Sequence, residues 1–180
     1  GALVIDVGGG STDIALVQHR GIVATKMVPM GGRAFTKGIA ARLHKTLKEA
    51  EQLKLDYADG LGDTGIGEVI EADLGIWLDA VLIALRDLYT GTPLPPRIAL
   101  CGGGSSLPGI AEALSSGKLV GSGMFSQTPE ITLLQPEHVN GVSDPKEFLR
   151  GRQDVTPKSI AYQAAVLQST HHFLGGTLRA

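Results

Sequence analysis

Residues 2–17 read Ala2-Leu3-Val4-Ile5-Asp6-Val7-Gly8-Gly9-Gly10-Ser11-Thr12-Asp13-Ile14-Ala15-Leu16-Val17, two apolar runs joined by a glycine turn with an acid at each end. The runs have strand character, and so short a connection folds one back on the other. Three adjacent glycines let the backbone reach positive φ and bring N–H groups to hydrogen-bonding distance of an anion. Ser11 and Thr12 add hydroxyl donors. Asp6 and Asp13 only accept when ionised, so they tolerate phosphate only with a hydrated cation or a water between. A plain corner needs one glycine; this turn has the composition of a phosphate grip.

Residues 22–28 read as a third strand after the turn His19-Arg20-Gly21, and Pro29-Met30-Gly31-Gly32 ends the run. A helix is predicted from about Arg33, with Phe35, Ile39, Ala40, Leu43 and Leu47 at amphipathic spacing, then a short one over about 47–55. Residues 59–67, rich in Gly and Asp, read as a loop. A long helix over about 68–89 follows, and its stripe of Leu74, Trp77, Leu78, Val81, Leu85 and Leu88 has the spacing of a core face. Pro93, Pro95 and Pro96 break it before a strand at 97–101. A second glycine loop, Gly102-Gly103-Gly104-Ser105-Ser106, leads to a helix predicted over 107–114 with Pro108 in its first turn. Residues 131–134 form one more strand and 139–154 are irregular. Thr156-Pro157 reads as the N-cap and first residue of a helix running to about 169. A strand meander followed by single strands separated by helices predicts an α/β fold, a mixed sheet flanked by helices.

The 180 residues suffice for a sizeable core, and 43% hydrophobic with 19% charged residues is a globular composition. A net charge of −2 gives no electrostatic case for nucleic acid or an acidic membrane. The single cysteine, Cys101, excludes an internal disulfide and ends an apolar strand, where a buried, non-catalytic thiol is expected. No run approaches the roughly 18 apolar residues of a membrane span, and no signal peptide is visible. A cytoplasmic protein is expected. The chain opens in a strand without an initiator Met, so a piece of a longer protein is expected too.

Either glycine loop alone is weak evidence; their order and spacing carry more. Asp6 to Asp13 follows the pattern Asp-x-Gly-Gly-Gly-Thr-x-Asp of the second phosphate loop in the actin-like ATPase superfamily, which has a ribonuclease H-like fold. Residues 98–110, Ile-Ala-Leu-Cys-Gly-Gly-Gly-Ser-Ser-Leu-Pro-Gly-Ile, resemble its strand–Gly-Gly–Ser–helix element. Residues 28–40, Val-Pro-Met-Gly-Gly-Arg-Ala-Phe-Thr-Lys-Gly-Ile-Ala, and the helix Ala50-Glu51-Gln52-Leu53-Lys54 resemble the bacterial cell-division family FtsA, with PilM and MreB as relatives.

The resemblance implies that residues 1–180 are the second, C-terminal lobe of such an ATPase. A nucleotide-contacting helical part would lie at about 33–92, and the N-terminal lobe is absent from this chain. ATP and Mg²⁺ are the implied cofactors. Asp6 would hold a hydrated Mg²⁺ through water, and Gly8, Gly9, Gly10, Ser11 and Thr12 would bind β- and γ-phosphate oxygens. Asp13 would orient the attacking water. Gly31 and Gly32 would let a backbone approach from beneath. Glu51 would accept from ribose hydroxyls, Lys54 would place a cation beside the base or phosphates, and Gly102, Gly103, Gly104 and Ser105 would floor the adenine pocket.

The implied activity is a weak ATPase in the full-length protein, with this lobe inactive alone. The implied partners are FtsZ-like or envelope-machine proteins and further copies of the protein. A PilM-like pilus adaptor and a small-molecule kinase or exopolyphosphatase of the same fold are the alternatives.

Some residues depart from the family pattern or carry tempting chemistry of their own. Asp73 stands near where the FtsA pattern leads one to expect an arginine. Residues 56–67 are longer and richer in glycine than usual, and no C-terminal amphipathic membrane helix is evident at 171–180. His171 and His172 lack companion ligands for a metal site. Arg150 and Arg152 read as a solvated loop.

Overall fold

The computed structural model describes residues 1–62 and 64–175. Five strands form one mixed sheet in the order β3-β2-β1-β4-β5: β1 Ala2–Val7, β2 Thr12–Gln18, β3 Gly21–Val28, β4 Arg97–Cys101 and β5 Glu130–Leu133. The first three run antiparallel, whereas β4 pairs parallel with both β1 and β5. β1 is therefore central, and its period-two pattern sets the two faces of the sheet. Leu3, Ile5 and Val7 are fully buried on the inner face, while Val4 and Asp6 alternate onto a half-exposed outer face.

Helices α1 Gly32–Arg42, α2 Leu47–Ala58 and α3 Thr64–Leu88 pack together, α3 also lying against β3 and α4 Ile110–Leu114. The predicted stripe of α3 is the core: Trp77, Val81 and Leu85 are 0% exposed and join Leu78, Leu88, Phe35 and Ile39, with Leu74 packed at the edge. A capping box starts α2, where the Glu49 backbone N–H donates to Thr46 Oγ1 and Glu49 accepts from the Thr46 backbone N–H. Hydrogen bonds from Thr46 hold the Glu49 carboxyl below the usual carboxylate range. The turn α5 Gly117–Val120 and the helix α6 Val155–Gly175 complete the chain.

Three expectations need correction. The loop placed at 59–67 ends early, because α3 begins at Thr64. Ile66 is buried one turn before buried Ile70, and that packing outweighs the glycine cost at Gly65 and Gly67. The helix expected at 107–114 is a 3-10 turn at Gly103–Ser106 and a short α4, separated by a break. Leu107 is extended, as suits a residue before proline, and Gly109 at φ 93° takes a left-handed conformation, so Pro108 lies outside the helix. Finally, α6 starts at Val155, so Thr156 is inside it rather than its cap, and the helix runs past 169. The side chains of His171 and His172 lie outside the described residues.

Candidate functional site

The Gly8–Ser11 turn is tied down from behind. Gly8 N–H donates to Ser11 O at 2.9 Å, closing the turn across the mouth of the β1–β2 hairpin. The first N–H groups of α1 then reach its carbonyls, Gly32 to Gly8 O at 2.9 Å and Arg33 to Gly9 O at 2.8 Å. These donors of a helix N-terminus would otherwise lack intrahelical partners. With its carbonyls committed to α1, the turn leaves the N–H groups of Gly9 and Gly10 without a protein acceptor among the described residues. Gly31 makes the approach possible, since a Cβ there would overlap Gly8 O and come within 2.8 Å of Ser11 O.

The parallel pairing of β4 with β1, with Asp6 opposite Cys101, sets the second glycine loop beside the first. Gly102 sits at φ 85° and ψ 155°, a conformation essentially restricted to glycine, and a Cβ there would overlap the Asp6 carboxylate. Gly104 packs its backbone on the Val7 side chain and carbonyl. The two loops and the α1–α2 pair bound a cleft of about 550 Å³. Gly8, Gly9, Gly32, Glu51, Lys54, Gly103 and Gly104, all candidates from the sequence, line it, and Arg33, Leu55, Ala58, Ser106, Leu107 and Gln153 complete the wall.

Those last six were missed from sequence. Leu55 and Ala58 continue the face of Glu51 and Lys54 at helical spacing, a signal that was legible. Gln153 arrives by tertiary folding alone.

Glu51 and Lys54 form a tighter unit than a pair of ligands. Lys54 Nζ donates to Glu51 Oε2 at 2.8 Å, to Thr36 Oγ1 at 2.9 Å and to Gly32 O at 3.1 Å, which uses all of its protons. Thr36 in turn donates to the same Glu51 oxygen at 2.5 Å. Burial raises the Glu51 carboxyl, but hydrogen bonds from Lys54 and Thr36, with the Lys54 charge, outweigh it and hold the group below its ordinary value. Only Oε2 is engaged, so Glu51 Oε1 keeps its accepting capacity on the cleft wall. Lys54 lines the cleft where a cation beside the base or phosphates was expected, and its three hydrogen bonds also prop the start of α1 against α2.

Other expected ligands lie elsewhere. Thr12 is 0% exposed, and its hydroxyl donates to Met30 O at 2.8 Å and accepts from Trp77 Nε1 at 2.9 Å. Strand alternation explains this, because Asp13 outward requires Thr12 inward. Ser105 is buried and donates to Gly102 O at 2.7 Å, shaping its own loop rather than a pocket floor. Arg152 is not simply solvated, since Nη1 donates to Ser105 O at 2.8 Å and its carbonyl receives Gly102 N–H. Asp73 faces α1, 5% exposed and bonded to Arg42 Nη1 at 2.8 Å, away from the cleft. Its second oxygen packs where a Cβ on residue 38 would sit, which explains Gly38.

Asp6 and Asp13 are cross-strand partners on the outer face, beside the same turn but outside the cleft. Ser11 Oγ donates to Asp13 Oδ2 at 3.0 Å, and Thr156 Oγ1 to Asp6 Oδ2 at 2.6 Å. Burial first, then the Asp6 charge, pushes the neighbouring Cys101 thiol up to about 11. Cys101 in the folded full-length chain is therefore expected to react with iodoacetamide at pH 8 more than tenfold slower than in urea, followed by mass spectrometry. Equal rates would mean the strand end is open. Among the described residues no cluster of three or more metal-ligating side chains occurs.

The family model described as "Cell division protein FtsA" matches residues 3–147. The cell division protein FtsA of Bacillus subtilis is 30% identical over 165 residues, covering 79% of this chain and 37% of that protein. FtsA of Neisseria meningitidis is 43% identical over 72 residues, 39% of this chain and 17% of that protein. The matches thus span between about a sixth and little more than a third of the length of these curated relatives. Among solved structures, the PilM–PilN type IV pilus biogenesis complex superposes with a TM-score of 0.66 at 25% identity, over 87% of this chain and 44% of that one. MreB5 of Spiroplasma citri bound to AMPPNP superposes at 0.59 and 18% identity, over 99% of this chain and 56% of that one, a likeness of fold.

Proposed function

The chain belongs to the FtsA family, and on that premise we propose that it is the ATP-binding second lobe of a two-lobed actin-fold protein. The nucleotide state of that protein would govern assembly of the bacterial division machinery. The observation that carries this is the glycine turn, anchored to α1 through the Gly8 and Gly9 carbonyls, with Gly9 on the wall of a cleft large enough for a nucleoside and the Gly9 and Gly10 N–H groups without a protein acceptor among the described residues. The solved MreB5 structures with AMPPNP and with ADP support a nucleotide in this fold.

Gly9 and Gly10 bind phosphate oxygens through backbone N–H groups, while the Gly8 N–H, bonded to Ser11 O, holds the turn in shape, and Glu51 Oε1 accepts from the ribose. Gly103 and Gly104 let the base lie against backbone. Asp6, steadied by Thr156, would hold a hydrated Mg²⁺ through water, and the ion would supply charge neutralisation for the phosphates. Asp13 orients and polarises the attacking water, aided by the Ser11 hydroxyl. Catalysis of this kind is positioning and electrostatics. The opposing phosphate contacts come from the first lobe, so hydrolysis is slow and needs the whole protein. Closure around ATP shifts affinity for further copies and for FtsZ-like or envelope-machine partners. No helix among the described residues is long and apolar enough to cross a membrane.

In the full-length protein Asp13→Ala is expected to bind ATP as the wild type does while hydrolysis falls at least about tenfold, the scale of general-base assistance. Phosphate release equal to wild type would remove the role given to Asp13.

The PilM–PilN superposition favours one second reading, an adaptor that captures a pilus-protein peptide. Pull-downs of the full-length protein with an FtsZ tail peptide and with a pilus-protein N-terminal peptide separate the two. Retention of the FtsZ peptide is expected, and retention of the pilus peptide alone would reverse the assignment.

A further inference from the structure

The cleft holds three charged side chains, Arg33, Glu51 and Lys54. Glu51 and Lys54 neutralise each other at 2.8 Å, and the Lys54 protons are all committed. Arg33 makes no ion pair among the described residues, so the cleft carries one uncompensated positive charge.

Its position is specific. Arg33 is the second residue of α1, and its backbone N–H is fixed to Gly9 O at 2.8 Å, which anchors the root of the side chain at the turn. The guanidinium folds back over the same turn, so that a Cβ on Gly9 would lie 3.3 Å from Nη1 and one on Gly10 2.5 Å from Nη2. Five guanidinium donors thus gather beside the two backbone N–H groups that lack acceptors. The first turn of α1 contains no acid to compete for them.

From this geometry we infer that Arg33 is a phosphate-binding residue of the cleft, gripping a phosphoryl group of the bound nucleotide together with the Gly9 and Gly10 N–H groups. The inference rests on the nucleotide reading of the site and adds to it the cation that Lys54 does not supply. Planar, permanently charged guanidinium suits phosphate oxygens better than a point charge does. Glycine at 10 then serves a second purpose, because a side chain there would push the guanidinium from its place over the turn.

The test is calorimetric titration of the full-length wild type, Arg33→Gln and Arg33→Lys with ATP and with ADP, at about 0.05 M and about 0.3 M salt, where screening differs strongly. Arg33 is exposed, so the variants are expected to keep the wild-type melting curve. Arg33→Gln should weaken both nucleotides about tenfold or more at low salt, the size of a lost charge-assisted hydrogen bond. It should also flatten the salt dependence of binding, and Arg33→Lys should recover part of both effects. Wild-type affinity in Arg33→Gln would overturn the inference and leave the nucleotide reading standing. An equal loss at both salt concentrations would also overturn it, since a merely structural prop carries no ionic term. Failure of the wild type to bind either nucleotide would remove the nucleotide reading, and this inference with it.

Discussion

Gly31→Ala in the full-length protein is expected to lower ATP affinity by more than about a hundredfold and to cost about 2–3 kcal/mol of stability, at the upper end for overpacking. The added methyl would overlap Gly8 O and come within 2.8 Å of Ser11 O and 2.9 Å of Ser11 N. All three are backbone atoms of the turn, so no rotamer change relieves the clash. The turn must retreat from α1, which breaks the Gly32–Gly8 and Arg33–Gly9 hydrogen bonds. The Gly9 and Gly10 N–H groups then lose the orientation that phosphate binding needs. Calorimetry and urea denaturation read the two effects separately. Wild-type ATP affinity in this variant would show that the anchoring of the turn to α1 is not what shapes the site.

The second large effect falls on stability. Trp77→Ala is expected to cost about 3–5 kcal/mol, as large-to-small changes of buried aromatics do. Trp77 is 0% exposed on α3, and its indole N–H is bonded to Thr12, which is bonded to Met30. That chain links α3 to the residues just after the first turn and just before Gly31. The cavity and the loss of the Thr12 hydroxyl's donor therefore strike core and site together. Trp77→Phe keeps most of the volume and loses the hydrogen bond, for an expected cost of about 1–3 kcal/mol. Urea melts followed by circular dichroism compare both with the wild type, whose single tryptophan reports its own unfolding. A loss below about 1 kcal/mol in Trp77→Ala would contradict its placement at the centre of the core.

Much of the fold was legible because its signals are local. Alternation in β1 and β2, the stripe on α3 and the glycine turn each depend on neighbours a few residues away. Errors arose where a distant contact overrode a local rule. Residues 64–67 look like loop until Ile66 finds the core, and Thr156 looks like a cap until Asp6 accepts its hydroxyl. Thr12 is the instructive case, since a hydroxyl in a phosphate motif invites a ligand role that strand parity denies it.

The sequence by itself determined that two glycine loops follow two strands, with an Ala-Glu-x-x-Lys helix between them, and hence the family and the mixed sheet. Spacing along a chain can do that, because strand and helix periods are properties of the backbone. Only the tertiary structure decided which polar groups remain available to a ligand. Lys54, Thr12 and Ser105 are bonded within the protein, whereas Arg33, unremarkable in the sequence, lies over the turn. Hydrogen-bond capacity is finite, and its allocation depends on groups brought together from across the fold.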